Sequence, residues 1–476
     1  NTDFAETEVD NRVVNLTRFP VFFPEKRDFF LEDSAIFSLP TGDDLVPFFS
    51  RRIGLSAEGL PVPILGGAKL AGRVGPWSLG LLDVATDDLS GLDGRGLEGQ
   101  NLGVARVARN VLAESQVGAL VTFGDPAGDG DNALAGLDFV YRTRELFGRY
   151  TLSASAFALG TRDEPAAGIR ENGHAYGFLL DLPNDFWGTG IGFREISDDF
   201  RPDLGFVRRR GIRNLFGGFG LNPRPADDGR FAPVRRFTFG LDVDVVWDVA
   251  SGLVESAAYR ATVFEILLDS GDSFEVEVTP TEERLFEPFE IRPGIVLPPG
   301  RYTFERTAAE LELADKRPLA GSVGWETGTF FDGRRDVYTA AVAVRAVRGF
   351  ATELEWEHND VRLPQGDFTT HLARLRLQVD FTPEISWSTF AQWDDTSDTV
   401  GVNSRLRFIL SPGRDLFFVV NRGFATRDPV IGPGGRRGRT FAPLDTDVTL
   451  KAEYPLRFSA APGRVSPFLP RAALYT

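Results

Sequence analysis

The chain has 476 residues, of which 42% are hydrophobic and 25% charged, and its formal net charge is −16 at pH 7. This excess of acid excludes a protein that binds nucleic acid through a basic surface, because phosphate binding needs clustered Lys and Arg. The absence of cysteine excludes a disulfide framework, a thiolate nucleophile and a thiolate metal site. No apolar run reaches the roughly 18 residues that a spanning helix needs, which excludes a helical membrane protein.

Residues 1–60 differ from the rest because they show no sustained alternation of apolar and polar side chains. They are rich in phenylalanine, with charged residues between the rings. We predict a plug-like segment that faces the lumen of a larger structure, and a periplasmic lead-in is the alternative. Buried charges must be paired, so we expect its charged cluster to latch onto acidic side chains of a wall, a scaffold turn being the alternative. The expected latch residues are Glu25, Lys26, Arg27, Arg51 and Arg52.

Strand-like runs follow one another from residue 61 to residue 458. Early examples are Ile64–Arg73 and Trp77–Thr86, which flank a short turn. A strand that crosses a bilayer at a tilt needs about 10 residues, and the spacing of these runs leaves room for a turn or loop after each. The pattern predicts an all-β fold, a large antiparallel transmembrane β-barrel of about 20–22 strands. Longer polar stretches, such as residues 161–173, are expected to be extracellular loops.

The last run, Val448–Phe458, alternates most regularly. Its apolar side chains share one face, its polar side chains share the other, and it ends on an aromatic residue. Side chains of a strand point to alternate faces, so this run predicts a strand between lipid and an aqueous interior. Residues 459–476 do not alternate, and we predict an irregular C-terminal tail there.

Charged residues within the predicted strands indicate which face points inward. Unpaired carboxylates cannot face lipid cheaply, so the acidic residues that alternate with apolar ones must line the lumen. Neighbouring strands carry opposite charges, which predicts a ladder of cross-strand pairs on the lumen wall. A soluble sandwich is the alternative, but its outward face would be polar. The predicted wall residues are Asp242, Asp244, Glu353, Glu355, Glu357, Arg374, Arg376, Arg405 and Arg407.

The sequence contains no recognisable catalytic, cofactor or metal motif. His174, His358 and His371 lack the short spacings of a zinc site, although the last two could face each other across a hairpin. A phosphate loop, a nucleophile elbow and a dinucleotide fingerprint are also missing. We therefore expect no cofactor, no metal and no enzyme, although an active site on a barrel rim stays open.

Several long motifs resemble a bacterial family of outer-membrane β-barrels of unknown function. Opening motifs are Val14-Asn-Leu-Thr-Arg-Phe19 and Phe49-Ser-Arg-Arg-Ile-Gly54, and a middle motif is Asp199-Phe-Arg-Pro-Asp-Leu-Gly-Phe206. Closer to the C-terminus, Asp360-Val-Arg-Leu-Pro-Gln-Gly-Asp-Phe-Thr-Thr-His371 is similar as well. Members of this family usually follow a family-nine-type carbohydrate-binding module. The resemblance implies a barrel whose preceding module is not part of this sequence, and it carries over no catalytic or transport residue.

Two functions fit these expectations. The first is a gated or plugged pore for solute passage in the bacterial outer membrane, with carbohydrate-derived solutes suggested by the module of the relatives. The second is a non-transporting anchor or assembly component that holds a surface or periplasmic partner. The expected partners are outer-membrane lipid and, as alternatives, a protein partner, a second copy of the chain or a carbohydrate, with no nucleic acid.

Overall fold

The computed structural model describes residues 9–56, 59–89, 97–127, 130–165, 168, 170–226, 228–426, 442–452, 455–456 and 474–475. Most of these residues lie in β-strands of one large antiparallel sheet. The nearly all-β fold predicted from the alternation of apolar and polar side chains is therefore confirmed.

The N-terminal segment, whose described residues are 9–56 and 59–63, contains little regular structure. One helical turn, α1 (Asp28–Leu31), is followed by 3₁₀ turns at Ser34–Phe37 and Ser50–Arg52. No helix in the described ranges is long and apolar enough to span a membrane. The segment is therefore held in place by its contacts with the strands rather than by its own secondary structure.

The strands are numbered in chain order. Within the described ranges they are β1 (Leu45–Val46), β2 (Ile64–Val74), β3 (Trp77–Thr86), β4 (Asn101–Val111), β5 (Ser115–Phe123), β6 (Gly130–Leu146), β7 (Tyr150–Pro165), β8 (Glu171–Pro183), β9 (Trp187–Ile196), β10 (Phe206–Val207), β11 (Ile212–Leu221), β12 (Val234–Asp248), β13 (Val254–Leu268), β14 (Ser273–Leu285), β15 (Phe289–Arg292), β16 (Ile295–Leu297), β17 (Gly300–Leu313), β18 (Leu319–Phe330), β19 (Gly333–Val347), β20 (Phe350–Leu363), β21 (Gly366–Thr382), β22 (Ile385–Asp394), β23 (Thr399–Ser411), β24 (Arg414–Ala425), β25 (Ala442–Ala452), β26 (Pro455–Leu456) and β27 (Leu474–Tyr475).

The main sheet contains 21 of these strands, β2–β9, β11–β14 and β17–β25, within the described part of the chain. Each strand pairs antiparallel with the next strand of the sheet along the chain, from β2 to β25. The remaining short strands form three separate pairs, β1 with β10, β15 with β16 and β26 with β27. This meander keeps sequence neighbours adjacent in space, as hairpin connections require.

Strand boundaries agree with the sequence predictions at some positions and differ at others. The predicted strand Trp77–Thr86 is β3, with the same bounds. The prediction of a loop over residues 161–173 is wrong, because β7 continues to Pro165 and β8 begins at Glu171. The predicted strand Val448–Phe458 overlaps β25, which ends at Ala452. Residues 453–454, 457–473 and 476 lie outside the described residues, and so does most of the predicted tail.

The two faces of the main sheet differ in character. The inner face is the one that contacts the N-terminal segment, and the outer face is the opposite one. On β20, Leu354 and Trp356 of the outer face are 52% and 40% exposed, and Glu353 and Glu355, which alternate with them, belong to the inner face. Large exposed apolar side chains therefore collect on the outer face of this strand.

The main hydrophobic core lies between the N-terminal segment and the inner face. Phe29, Phe30, Phe37, Leu45 and Ile53 pack against apolar side chains of β3–β9 and β11. At Gly80 on β3 an added Cβ would lie 2.7 Å from the Phe37 ring, so this position of the strand has room for a glycine alone. The core fixes the segment against one side of the sheet and leaves the remaining inner face to polar contacts.

Candidate functional site

Two of the predicted latch residues, Glu25 and Arg27, contact each other. The Arg27 guanidinium lies 2.7 Å from Glu25 and donates hydrogen bonds to the carbonyl oxygens of Ile53 at 2.8 Å and Ser50 at 2.9 Å. The Arg27 and Glu25 side chains are each 7% exposed. These partners all belong to the N-terminal segment, so the contacts of this pair are internal to the segment rather than contacts with the strands.

The other predicted latch residues also lie close to this pair. Lys26 is 3.4 Å from Asp10, and Arg51 forms an ion pair with the same carboxylate. Arg52 reaches outside the segment, where its Nε donates to the Asp203 carbonyl oxygen at 3.2 Å. The predicted latch residues thus make most of their contacts within the N-terminal segment, and Arg52 also contacts a residue outside it.

Two arginines earlier in the segment tie it to the wall. Arg12 lies 2.7 Å from Asp394 on β22, and its backbone N–H donates to the Gln392 side chain at 2.8 Å. Arg18 bridges Glu255 on β13 at 2.7 Å and Glu283 on β14 at 3.0 Å. The segment is therefore bonded to widely separated strands of the sheet.

A third tie involves Asp44, just before β1. Its carboxylate lies 2.6 Å from Arg194 on β9 and 3.3 Å from Arg208 in the loop before β11. Burial alone would raise the pKa of Asp44, but the charges of these two arginines outweigh it and hold that pKa below its usual value. Asp44 is thus ionised at neutral pH and holds this end of the segment against the inner face.

Helix α1 connects the two ends of the main sheet. Lys69 on β2 donates hydrogen bonds to the carbonyl oxygens of Phe29 and Glu32, the latter at 2.7 Å. Lys451 on β25 lies 3.6 Å from the Asp28 carboxylate. The first and last strands of the sheet are thus within side-chain reach of one helical turn.

The predicted charge ladder of β20 and β21 lies on the inner face. The register places Glu355 opposite Arg374 and Glu353 opposite Arg376. Arg374 is 2.6 Å from Glu355, and Arg376 is 3.9 Å from it. Glu357 stands opposite Leu372 instead, and its carboxylate accepts a hydrogen bond from Asn359 at 2.9 Å.

Arg405 and Arg407 do not continue that ladder directly, because β22 lies between β21 and their strand, β23. They stand opposite Ser388 and Ser386 of β22. Their other neighbouring strand is β24. Arg407 pairs with Asp415 of β24 at 2.7 Å, and Arg405 lies 5.9 Å from the centre of the Phe417 ring on the same strand.

A large cavity lies along the inner face of β9, β11 and β12 and has a volume of about 970 Å³. Asp242 and Asp244 line it, together with Arg194 and Arg209. Its lining includes residues from both ends of β11 and the loop beyond, from Ile212 to Asn222. At roughly 3.3 Å per residue this stretch is about 30 Å long, so the cavity follows the whole strand.

Glycines create this cavity. The register places glycines of β9, β11 and β12 side by side on the inner face. Any other residue type at these positions would project a side chain into the space that the cavity occupies. A Cβ at Gly220 or Gly240 would meet no atom closer than 3.7 Å, so this space is open. The glycines that line the cavity are Gly188, Gly190, Gly217, Gly218, Gly220 and Gly240.

A half-buried carboxyl, that of Asp203, lies in the loop between β9 and β10. Burial, together with repulsion from Asp125 and Asp163, raises the pKa of Asp203 to about 7, while Arg52 and Arg201 act in the opposite direction. Its backbone N–H donates to the Asn132 side chain at 3.3 Å. Asp203 therefore changes charge near neutral pH. In the part of the chain that the structure describes, no group of three or more His, Asp or Glu is placed to hold a metal ion.

The outer face carries a row of aromatic rings. His358 and His371 stand opposite each other on β20 and β21 with their ring centres 4.4 Å apart, the arrangement that the sequence left open. Trp356 stacks beside His358 at 5.9 Å, and Tyr338 lies 6.1 Å from it. These rings lie on the face opposite the cavity.

Sequence reasoning missed the residues that tie the segment to the wall, and it missed the cavity. Arg12, Arg18 and Asp44 stand in no cluster of charges that would single them out. The glycines left a clearer signal, since Gly188, Gly190 and Gly192 alternate with larger residues at the period of a strand and so share one face.

Comparisons with known proteins give limited matches. Residues 2–63 match the model of a domain of unknown function, DUF5916. No curated protein matches the chain. A crystal structure described as the ferric citrate transporter FecA in the unliganded form is similar over 83% of this chain and 70% of that chain, with 8% sequence identity and a TM-score of 0.34.

Proposed function

We propose that the main sheet closes into a transmembrane β-barrel of the bacterial outer membrane and passes small polar solutes beside a plug formed by the N-terminal segment. The observation that carries this proposal is the cavity that follows β11 from one end to the other. A cavity that was only a packing defect would be local and would not extend along a whole strand. A cavity that runs the length of β11 beside the N-terminal segment has the shape of a passage.

Closure of the sheet is supported by helix α1. Lys69 on β2 and Lys451 on β25 both contact this single turn, which is about 6 Å long. The two edges therefore approach each other closely. Closing them leaves no unpaired strand edge, which is a requirement for a sheet surrounded by lipid.

Insertion in a membrane is supported by the outer face. On β19, the outward side chains Tyr338, Val342 and Val347 are 43%, 48% and 65% exposed. The stretch that they mark matches the roughly 9–11 residues that a tilted strand needs to cross a bilayer. An exposed apolar band with an aromatic ring such as Tyr338 at its end suits lipid and is costly in water.

The plug role of the N-terminal segment is supported by the distribution of its contacts. Arg12, Arg18 and Asp44 reach β22, β13 with β14, and β9. A barrel of this many strands is too wide for its own wall side chains to fill, so a plug or an open channel is required. Ion pairs to several strands hold such a plug in place without sealing all of the space around it.

The solute is proposed to be small and polar because the passage carries both charges. Asp242 and Asp244 line it together with arginines such as Arg209. Carbohydrate-derived solutes have this character and agree with the module that the similar family carries. We propose transport rather than catalysis as the role of the barrel, with outer-membrane lipid as its surroundings.

Conductance of the full chain in planar lipid bilayers tests the proposal. We expect discrete single-channel steps that increase with salt concentration. A folded protein that inserts into the bilayer and conducts no current would contradict transport. It would favour the alternative of a non-transporting anchor, which copurification of a bound partner would then support.

A further inference from the structure

A second cavity lies on the inner face between the N-terminal segment and β19–β23. Its volume is about 330 Å³, at the lower end of the range for small-molecule sites. Four cations line it, one from the segment and three from different strands, and among the described residues one carboxylate, that of Glu353, lines it with them. The cations are Lys26, Arg345, Arg376 and Arg405.

This concentration of positive charge stands out against the composition of the chain. The formal net charge is −16, yet the formal charges that line this cavity sum to a positive value. Three of the cations also have a carboxylate partner that does not line the cavity: Arg345 lies 3.2 Å from Asp315, Lys26 lies 3.4 Å from Asp10, and Arg376 lies 3.9 Å from Glu355. Charges of one sign around a partly enclosed space focus their field there and attract the opposite charge.

Arg376 is held in a fixed position by contacts that leave donors available. Its guanidinium lies 4.8 Å from the centre of the Phe390 ring and donates to the Asn11 side chain at 3.0 Å. That hydrogen bond uses one N–H of a group that carries five. A guanidinium fixed in this way presents a planar fork that fits a carboxylate or phosphate.

Lys26 brings the N-terminal segment into the same cavity. Its side-chain nitrogen contacts the Val9 carbonyl oxygen and lies 3.4 Å from Asp10, so it is anchored within the segment. An anion between Lys26 and the arginines of the wall would touch both parts of the protein. Binding would then strengthen the contact between the segment and the wall.

We propose that this basic cavity is a binding site for a small oxyanion, a solute that carries a carboxylate or a phosphate together with hydroxyl groups. The arginines supply charge-assisted hydrogen bonds, and the neutral side chains of Gln378, Ser388 and Asn403 line the same space and suit hydroxyl groups. The inference goes beyond the proposed passage of solutes, because binding here does not require conduction.

Calorimetric titration of the full chain in detergent tests this site. The probes are inorganic phosphate, D-glucuronate and the neutral sugar D-glucose. We expect saturable binding of at least one anion and none of glucose. Binding of phosphate alone would identify a phosphate-bearing solute, and binding of glucuronate alone would identify an acidic sugar.

Substitutions place the binding in this cavity. Arg376→Gln and Arg405→Gln should each weaken binding of the anion about tenfold, the usual effect of losing a hydrogen bond to a charged group. Glu353→Gln should strengthen it, because it removes the carboxylate that repels the ligand. The matched control, Arg142→Gln, removes an exposed arginine from the inner face of β6, which is not among the strands that line this cavity, and should leave binding unchanged.

Absence of anion binding in the folded protein would overturn the inference. Equal binding in the wild type, Arg376→Gln and Arg405→Gln would overturn it too, and the Glu353→Gln variant keeps the test informative if an arginine variant fails to fold. Failure here is separate from failure of the proposed transport. A protein that binds phosphate and conducts nothing supports the site and contradicts the passage.

Discussion

The guanidinium of Arg106 on β4 crosses over β5 to reach the carboxylate of Asp138 on β6. Both side chains are almost completely buried, and one of their hydrogen bonds is 3.0 Å long. Gly118 on the intervening strand makes the crossing possible, because a Cβ there would lie 2.5 Å from the Arg106 side chain. Three consecutive strands are thus linked by one ion pair and one missing side chain.

Breaking this ion pair should destabilise the protein strongly. Asp138→Asn leaves the buried Arg106 charge without its partner, which typically costs about 3–5 kcal/mol of the free energy of unfolding. The measurement is urea unfolding in detergent. The matched control, Asp185→Asn, breaks the pair of Asp185 with Arg224, whose side chains are 74% and 58% exposed, and should cost less than about 1 kcal/mol. Equal effects of the two variants would refute the structural role of the buried pair.

Filling the passage should reduce conductance. Gly220→Phe places a ring in the cavity along β11 without a clash at Cβ, because a Cβ at this position would lie 3.7 Å from its nearest neighbour. We expect the single-channel conductance to fall at least severalfold while the protein still folds. Gly72→Phe is the control, since a Cβ there meets no atom within 4 Å and the position lies on the outer face of β2. If both variants conduct like the wild type, the solute does not pass along β11.

Weakening the plug should raise the open probability of the channel. Asp44→Asn removes the ion pairs with Arg194 and Arg208. Asp44 is 39% exposed, so solvent screening limits the loss to about 1 kcal/mol, or about fivefold in the opening equilibrium. The readout is open probability in bilayer recordings, and high salt should reduce the difference between variant and wild type. Asp43→Asn, at the exposed neighbouring position, serves as the control.

Stability should decrease between about pH 4 and pH 7 because of Asp203. Burial raises its pKa to about 7 from the ordinary 3.8, so in this interval the folded protein holds a proton that the unfolded chain has lost. The free energy of unfolding therefore falls as pH rises through the interval. Asp203→Asn should flatten this dependence and be more stable than the wild type at pH 8.

Unfolding midpoints at pH 5 and pH 8 check this prediction. Asp199→Asn, an exposed carboxylate of the same loop, should retain the wild-type pH dependence. A wild-type profile that Asp203→Asn leaves unaltered would show that other groups dominate.

The sequence predicts the sheet far better than the contacts within it. Alternation of apolar and polar residues is a local property, so β3 and the pairing of Glu355 with Arg374 follow from it. Charges in an irregular segment have no such period. The sequence predicts that Glu25 and Arg27 contact the wall, yet these two residues are close in the chain and pair with each other. The ion pair with a carboxylate of a strand, Glu255, is formed by Arg18 instead.

Helix α1 is made early during synthesis, whereas its contact Lys451 belongs to the last strand of the main sheet. The contact between α1 and Lys451 therefore cannot form until nearly the entire polypeptide has been synthesised. Such a contact of very long range is slow to form, because so much chain entropy must be lost first. Assembly of the main sheet and docking of the N-terminal segment are thus coupled events, and the order in which they occur decides whether the segment reaches the inner face.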